Sequence, residues 1–177
     1  YVFIVAAFVL GLLLYTEYNL NKSRLVKTDF TPDLPTEIQQ SGSTTTSVIL
    51  YYYNQKKDTD STGNVLCGEQ GLEPVERSIP TTKTPLKDTL DLLLKGQLSM
   101  DEKRLGVGTE FPLEGVFIQS IALGDDGTLL IDLRDPQRKT VGGSCRTGIL
   151  ARQIVTTAKQ FKAVKQVEFI SGEVFQP

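Results

Sequence analysis

A glycine pair that runs straight into a helix-forming stretch places the strongest constraint on this chain. Gly142-Gly143-Ser144-Cys145-Arg146 opens the run Thr147 to Phe161, in which Leu150, Ile154, Ala158 and Phe161 recur at helical spacing. Ile149, Ala151 and Val155 widen the stripe, while Arg152, Gln153, Lys159 and Gln160 fall mainly outside it. A helix with one apolar face must bury that face against another layer, so the rest of the chain has to supply one.

The companion elements can be read in order. Ser47 to Tyr53 is a run of strand formers ending in Tyr51, Tyr52 and Tyr53, and Leu72 to Ile79 is a second, looser strand closed by Pro80. Lys56 to Gly71 between them reads as a loop containing Cys67. Thr84-Pro85 is a helix start, Leu86, Leu90, Leu93 and Leu94 form its apolar stripe, and Gly96 ends it, which predicts a helix over 85–95. Ser99 to Gly115 looks irregular. Phe117 to Leu123 and Thr128 to Leu133 flank Gly124-Asp125-Asp126-Gly127 as a β-hairpin, and 166–171 predicts a last strand. The order β-β-α-β-β-α-β predicts an α+β fold, a small mixed or antiparallel sheet with two helices packed on one face.

The totals exclude several functions. Of 177 residues, 40% are apolar, enough for one folded domain with appendages. The net charge of -2 offers no basic field for nucleic acid. The chain has no His, so the commonest general base and metal ligand are both missing.

The first residues bear on compartment. Val2 to Leu14 carries no charge, and its ten Leu, Ile, Phe and Val residues favour membrane insertion by on the order of 3 to 6 kcal/mol. At about 1.5 Å per residue the run reaches only about 21 Å, short of a hydrocarbon core of about 30 Å, and Tyr1 is not Met; the expectation is a span whose beginning lies upstream. Tyr15 and Tyr18 suit a membrane interface, whereas Lys22, Arg24 and Lys27 argue mildly for the opposite orientation. A cleaved leader and a buried terminal core helix are the competing readings; no small-x-small cleavage site follows the run. The organisation expected is therefore a transmembrane anchor over 1–20, a flexible stalk over 21–46 with a reach of about 30 Å, and a folded domain over 47–177.

Taken together, Ile79-Pro80, Thr84 to Gly96, Phe111-Pro112 with Gly115, Leu130-Ile131-Asp132-Leu133, Gly143-Ser144-Cys145-Arg146, Gln153-Ile154-Val155, Phe161 and Val164-Lys165-Gln166-Val167 resemble the GerMN domain, the sporulation and spore germination domain. The resemblance covers about residues 47–177. It implies a bacterial, extracytoplasmic, non-catalytic domain of the cell envelope with no cofactor. The chain departs from the family pattern in having an apolar anchor rather than a lipobox Cys, and one such domain where the spore-germination protein has two. A single-pass membrane protein with its C-terminal domain outside the cytoplasm is the location this implies, and envelope proteins or further copies of itself are the partners.

Three groups of residues are candidate sites. Cys67 and Cys145 are the only cysteines, an even pair in a chain read as exported, which points to a disulfide. Two buried thiols, or a reactive Cys145 at a helix start, are the alternatives. Gly143, Ser144 and Arg146 offer either an anion site at a helix N-terminus or an ordinary Ser144 cap with glycines admitting close packing. Tyr51, Tyr52 and Tyr53 cannot all face one side of a strand, so the row is either a partly exposed interaction patch or sheet-face packing. Asp125, Asp126, Asp132 and Asp135 near the hairpin, with Glu110 and Glu114, read as turn and solvated carboxylates; their spacing is not that of a calcium loop.

Overall fold

The computed structural model describes residues 44–177; the expected anchor, and the expected stalk up to residue 43, lie outside the described residues. Among these residues five strands and three α-helices follow in order: β1 (Thr45–Tyr53), β2 (Leu72–Pro80), α1 (Pro85–Leu94), α2 (Met100–Arg104), β3 (Phe117–Leu123), β4 (Thr128–Arg134), α3 (Ser144–Lys159) and β5 (Gln166–Phe169). Among the described residues no helix is long and apolar enough to cross a membrane.

The fold is a mixed α+β arrangement with small sheets and few helices, but the strands form two sheets rather than one. β1 and β2 pair antiparallel from Thr45 opposite Pro80 to Tyr53 opposite Leu72. β3, β4 and β5 form the second sheet in that order, β3 antiparallel and β5 parallel to β4. The reason for the separation is at the free edge of β1. The Ile49 N–H donates to Gln160 Oε1 at 2.8 Å, and Gln160 Nε2 donates back to the Ile49 carbonyl at 2.7 Å. Thr157 Oγ1 accepts from the Tyr51 N–H at 3.0 Å, and Tyr53 exchanges both main-chain bonds with Gly108. Helix side chains and a loop occupy the place of a third strand, so the first sheet ends there.

α3 therefore has two working faces. Leu150, Ile154 and Ala158 enter the core as the periodicity predicts. A second row, Gln153, Thr157 and Gln160, lies at i, i+4 and i+7; Gln153 and Gln160 were expected to fall mainly outside the apolar stripe, yet Gln153 and Thr157 are fully buried. β1 covers this side of the helix, and its unpaired amides need partners that an apolar side chain cannot supply. The helix begins at Ser144 with Gly143 as its N-cap, three residues before Thr147, and ends at Lys159 rather than Phe161.

α1 packs against α3 and reaches β1, β2 and β3, so the helix pair joins the two sheets. Leu90, Leu93 and Leu94 meet Leu50, Tyr52, Ile118, Leu129, Ile131 and Leu133 in one cluster. Gly96 follows α1 at φ +60°, where a Cβ would overlap the Phe111 carbonyl, so only glycine fits. The stretch expected to be irregular contains α2, whose Ser99 hydroxyl accepts from the Glu102 N–H while Glu102 accepts from the Ser99 N–H.

Replacing Gln160 with Ala leaves the Ile49 N–H and carbonyl without their partner. A loss of about 1–2 kcal/mol is expected in urea denaturation of the Gln160→Ala variant, against less than about 0.5 kcal/mol for Lys159→Ala on the exposed side of the same turn.

Candidate functional site

Cys67 and Cys145 are joined, with Cα atoms 5.3 Å apart across 78 residues of sequence, and no free cysteine remains. The reading with two thiols or a reactive Cys145 does not describe this structure. The bridge fixes the arm between β1 and β2 to the first turn of α3, and Arg152, two turns along, donates from Nη1 to the Cys67 carbonyl at 2.9 Å. The root of the arm is held from within: Asp58 is buried, its Oδ2 accepts from the Gly68 N–H at 2.7 Å, and the Tyr53 hydroxyl donates to the same carboxylate.

The helix start carries no side-chain cap, and its arginine is turned back on the preceding loop. Ser144 is the first helical residue rather than the cap, and the Gly143 carbonyl accepts from the Thr147 N–H. Glycine at the cap position leaves no side-chain oxygen to bond the first turn, which is the physical reason the expected Ser144 cap is not seen. Arg146 folds back on the loop that precedes it. Its Nε and Nη2 meet Glu110 Oε2 at 2.7 and 2.6 Å, Nη1 donates to the Val141 carbonyl at 2.9 Å, and Nη2 donates to the Lys139 carbonyl at 2.8 Å. Gly142 makes room for this guanidinium, since a Cβ there would lie 3.2 Å from Nη1; Gly143 has nothing within 4 Å. The glycine pair thus has one packing role and one cap role.

The same loop is pinned by Asp135. Its burial alone would raise the carboxyl, but the Thr140 hydroxyl and N–H, with the Lys139 N–H, outweigh that and hold it below the usual carboxylate range. Asp126 likewise accepts from the N–H and hydroxyl of Thr128 as a turn residue, and Asp132 pairs with Arg134 at 3.7 Å. Glu110 is the partner of Arg146. Four of the six carboxylates near the hairpin, Asp126, Asp132, Asp135 and Glu110, are thus taken up by neighbouring groups.

A spacing the sequence reading passed over lies in the arm. Asp58, Asp60, Thr62, Gly63 and Glu69 stand at calcium-loop intervals. The structure folds this stretch as a tight hairpin turn instead: Asp60 Oδ1 accepts from the Thr62 and Asn64 N–H groups, Asp60 and Asn64 share a main-chain bond, and Gly63 takes φ +91°. Among the described residues no three His, Cys, Asp or Glu side chains are grouped to hold a metal.

The tyrosines alternate as a strand requires. Tyr52 is fully buried with its hydroxyl 3.4 Å from the Leu93 carbonyl, and burial pushes its pKa up to about 12. Tyr51 and Tyr53 lie on the other side, each half-buried, and burial together with the Asp58 bond raises the Tyr53 hydroxyl as well. Beside Tyr52, Arg77 makes a two-pronged pair with Glu102, both contacts at 2.8 Å. An open groove of about 440 Å³ lies at the far end of the second sheet, where half-exposed Phe117 faces Arg134, Arg138 and Val174.

The match with known proteins follows the fold just described. The family model described as sporulation and spore germination matches residues 49–173. The chain belongs to this sporulation and spore germination family. Among solved structures, the tandem GerMN domains of the sporulation protein GerM from Bacillus subtilis are 19% identical, with a TM-score of 0.53, covering 85% of this chain and 50% of that one. The first GerMN domain of the same protein is 15% identical with a TM-score of 0.44, covering 72% of this chain and 92% of that one. The chain thus spans half the length of the tandem structure it matches, and the GerMN likeness is one of fold. No curated protein sequence matches the chain.

Two measurements check the energetics of this GerMN-type domain. Opening the Cys67–Cys145 bridge with reductant, or by Cys67→Ser with Cys145→Ser, is expected to lower stability by roughly 4–5 kcal/mol in chemical denaturation; a thiol reagent should find no reactive cysteine before reduction and two afterwards. For Glu102, the Arg77 bonds lower the carboxyl from 4.5 to about 2 in the folded chain. The pair's contribution is therefore full above about pH 4.5 and is lost as pH falls toward 2, on the order of 1–2 kcal/mol once solvent screening is included. Glu102→Gln should flatten the acid limb of the stability curve over that range.

Proposed function

We propose that this chain is a non-catalytic interaction or assembly module of the cell envelope, with its folded domain outside the cytoplasm and the apolar run Val2 to Leu14 as its membrane tether. The observation that carries this reading is the internal pairing of the polar groups at the start of α3. Arg146, Asp135 and Glu110 are committed to one another's loops, which leaves no positioned base or nucleophile there. The bridge between Cys67 and Cys145 agrees with an oxidising compartment. The family's description adds sporulation and germination as a setting, and envelope assembly is the common denominator of the two.

The groove at Phe117 favours a second reading, a module for an envelope ligand such as a peptidoglycan fragment. An aromatic face beside Arg134, Arg138 and Glu173 suits a polar ligand with some apolar surface. The anion site weighed at Gly143, Ser144 and Arg146 is a poorer place for one, because the Arg146 guanidinium is already held by Glu110 and two carbonyls.

Cross-linking in cells that express the tagged full chain, followed by purification from the membrane fraction, separates these readings. Recovery in that fraction with a specific envelope protein or a second copy attached is the expected outcome. A saturable heat on titration with soluble cell-wall fragments, without any protein partner, favours the ligand reading. Absence of both self-association and envelope partners, or recovery from the cytosol alone, defeats the proposal.

A further inference from the structure

Edge strands expose rows of unpaired amides and carbonyls, and a fold that does not use them blocks them. Four of the strand edges here are blocked in identifiable ways. The free edge of β1 is closed by Gln160, Thr157 and Gly108. Because Ile49 and Tyr51 turn away from β2, their partners Glu76 and Pro74 turn outward on the far edge, as does Pro80 opposite Thr45. Two of those outward positions are prolines without an N–H, the Leu72 N–H goes to the Glu69 carbonyl, and Arg77 donates to the Glu76 carbonyl, so only Ser78 keeps both outward groups without a partner among the described residues, between Pro80 and charged Glu76. On β4, beyond the end of β5, the Ser171 hydroxyl accepts from the Leu133 N–H at 2.7 Å and donates to the Leu133 carbonyl. β5 is four residues long, carries Glu168, and has Phe175 edge-to-face with Phe169, ring centroids 4.8 Å apart.

β3 is different. Its seven residues, Phe117 to Leu123, contain no charge and no proline, and five of them are exposed. The Ile131 carbonyl accepts from the Ile170 N–H, so β4 turns residue 131 toward β5, and the residues of β3 opposite Ile131 and Leu129 turn away from β4. The outward main-chain groups of Ile121 and Leu123 have no hydrogen-bond partner among the described residues. A bulge between Ile118 and Ser120 leaves Ile121 to Leu123 as the regular part of this edge.

We propose that two copies of the chain join through this edge, β3 against β3 in antiparallel sense, with Ala122 nearest the two-fold axis and the second sheets merging into one of six strands. The proposal rests on the interaction reading above and names its surface. In a symmetric pair the side chain on the axis meets its own counterpart and its near neighbours recur across it, so a charge there meets a like charge, and β3 is an edge with none. In this register Ile121 and Leu123 of one copy exchange four main-chain bonds with Leu123 and Ile121 of the other. Leu123, 44% exposed in the single chain, is then covered by an apolar neighbour. Ala122 pairs with Ala122, a side chain small enough for the closest approach. A contact built on one short strand buries less than a standard interface, so association is weak and concentration-dependent.

The test uses the full chain with Ala122→Cys in native membranes under mild oxidation. Opposed non-hydrogen-bonded residues have Cα atoms about 4.5 Å apart, within the disulfide range of about 4.4–6.8 Å. A covalent dimer is expected at 122 and none above background for Ser78→Cys on the β2 edge, which Pro74, Glu76 and Pro80 interrupt on both sides. In sedimentation of the detergent-solubilised chain, the protein mass should rise with concentration from 19.5 kDa toward twice that value, and Ala122→Asp should abolish the rise without shifting the melting midpoint. Equal cross-linking at 78 and 122, no dimer at 122, or an Ala122→Asp variant that still associates overturns the β3 pairing. An envelope protein captured by an A122C chain that stays monomeric also overturns it, while leaving the broader interaction reading in place.

Discussion

The hydrogen bonds between Gln160 and Ile49 join residues 111 positions apart, and the architecture depends on them. A strand of a two-stranded sheet has one edge to spare, and burying that edge against a helix requires the helix to provide a donor and an acceptor at strand spacing. A carboxamide can do both at once. With Gln160 facing Ile49 and Thr157 facing Tyr51, α3 docks along β1 in a single register, and its apolar stripe is then aimed at α1 and the second sheet. A slip of β1 by one residue would turn the paired groups toward β2 and point the Tyr52 side chain outward. Polar contacts thus set where the apolar ones can form.

The same economy recurs at Leu133, where one hydroxyl stands in for a strand residue, and at Arg146, whose guanidinium gathers a carboxylate and two carbonyls from its own loop. These side chains hold irregular backbone in place, which explains why a helix start with an arginine and two glycines carries so little available chemistry. The guanidinium is consumed in holding the turn that precedes the helix.

Much of the fold was legible from local pattern. The leucines of α1 and the stripe of α3 announce themselves by spacing, and Gly124 to Gly127 marks its hairpin because those residues tolerate the turn. Cys67 with Cys145 followed from parity and the expectation of export. What escaped was the work of polar residues at long range. Gln153, Thr157 and Gln160 look like a solvated face because nothing nearby in sequence reveals that β1 will lie over them. The split into two sheets follows from the same unseen contact. α2 is only five residues, too short for periodicity to show, although Ser99 and Glu102 carried its capping signal. At Asp58 to Glu69 the error would have run the other way: the intervals suit a cation, but Asp58 turns inward to Tyr53 and Gly68, and Asp60 serves its own turn.

The bridge between Cys67 and Cys145 also has a topological meaning. It closes β2, α1, α2, β3 and β4 into one covalent ring, with β1 entering before it and α3 and β5 leaving after it. A single cut by a protease anywhere in that ring opens it without dividing the molecule, because the two ends remain tied through the sulfurs. A nicked copy keeps both of its halves in place, and β1 stays clasped to α3 by the residues on either side of the bridge.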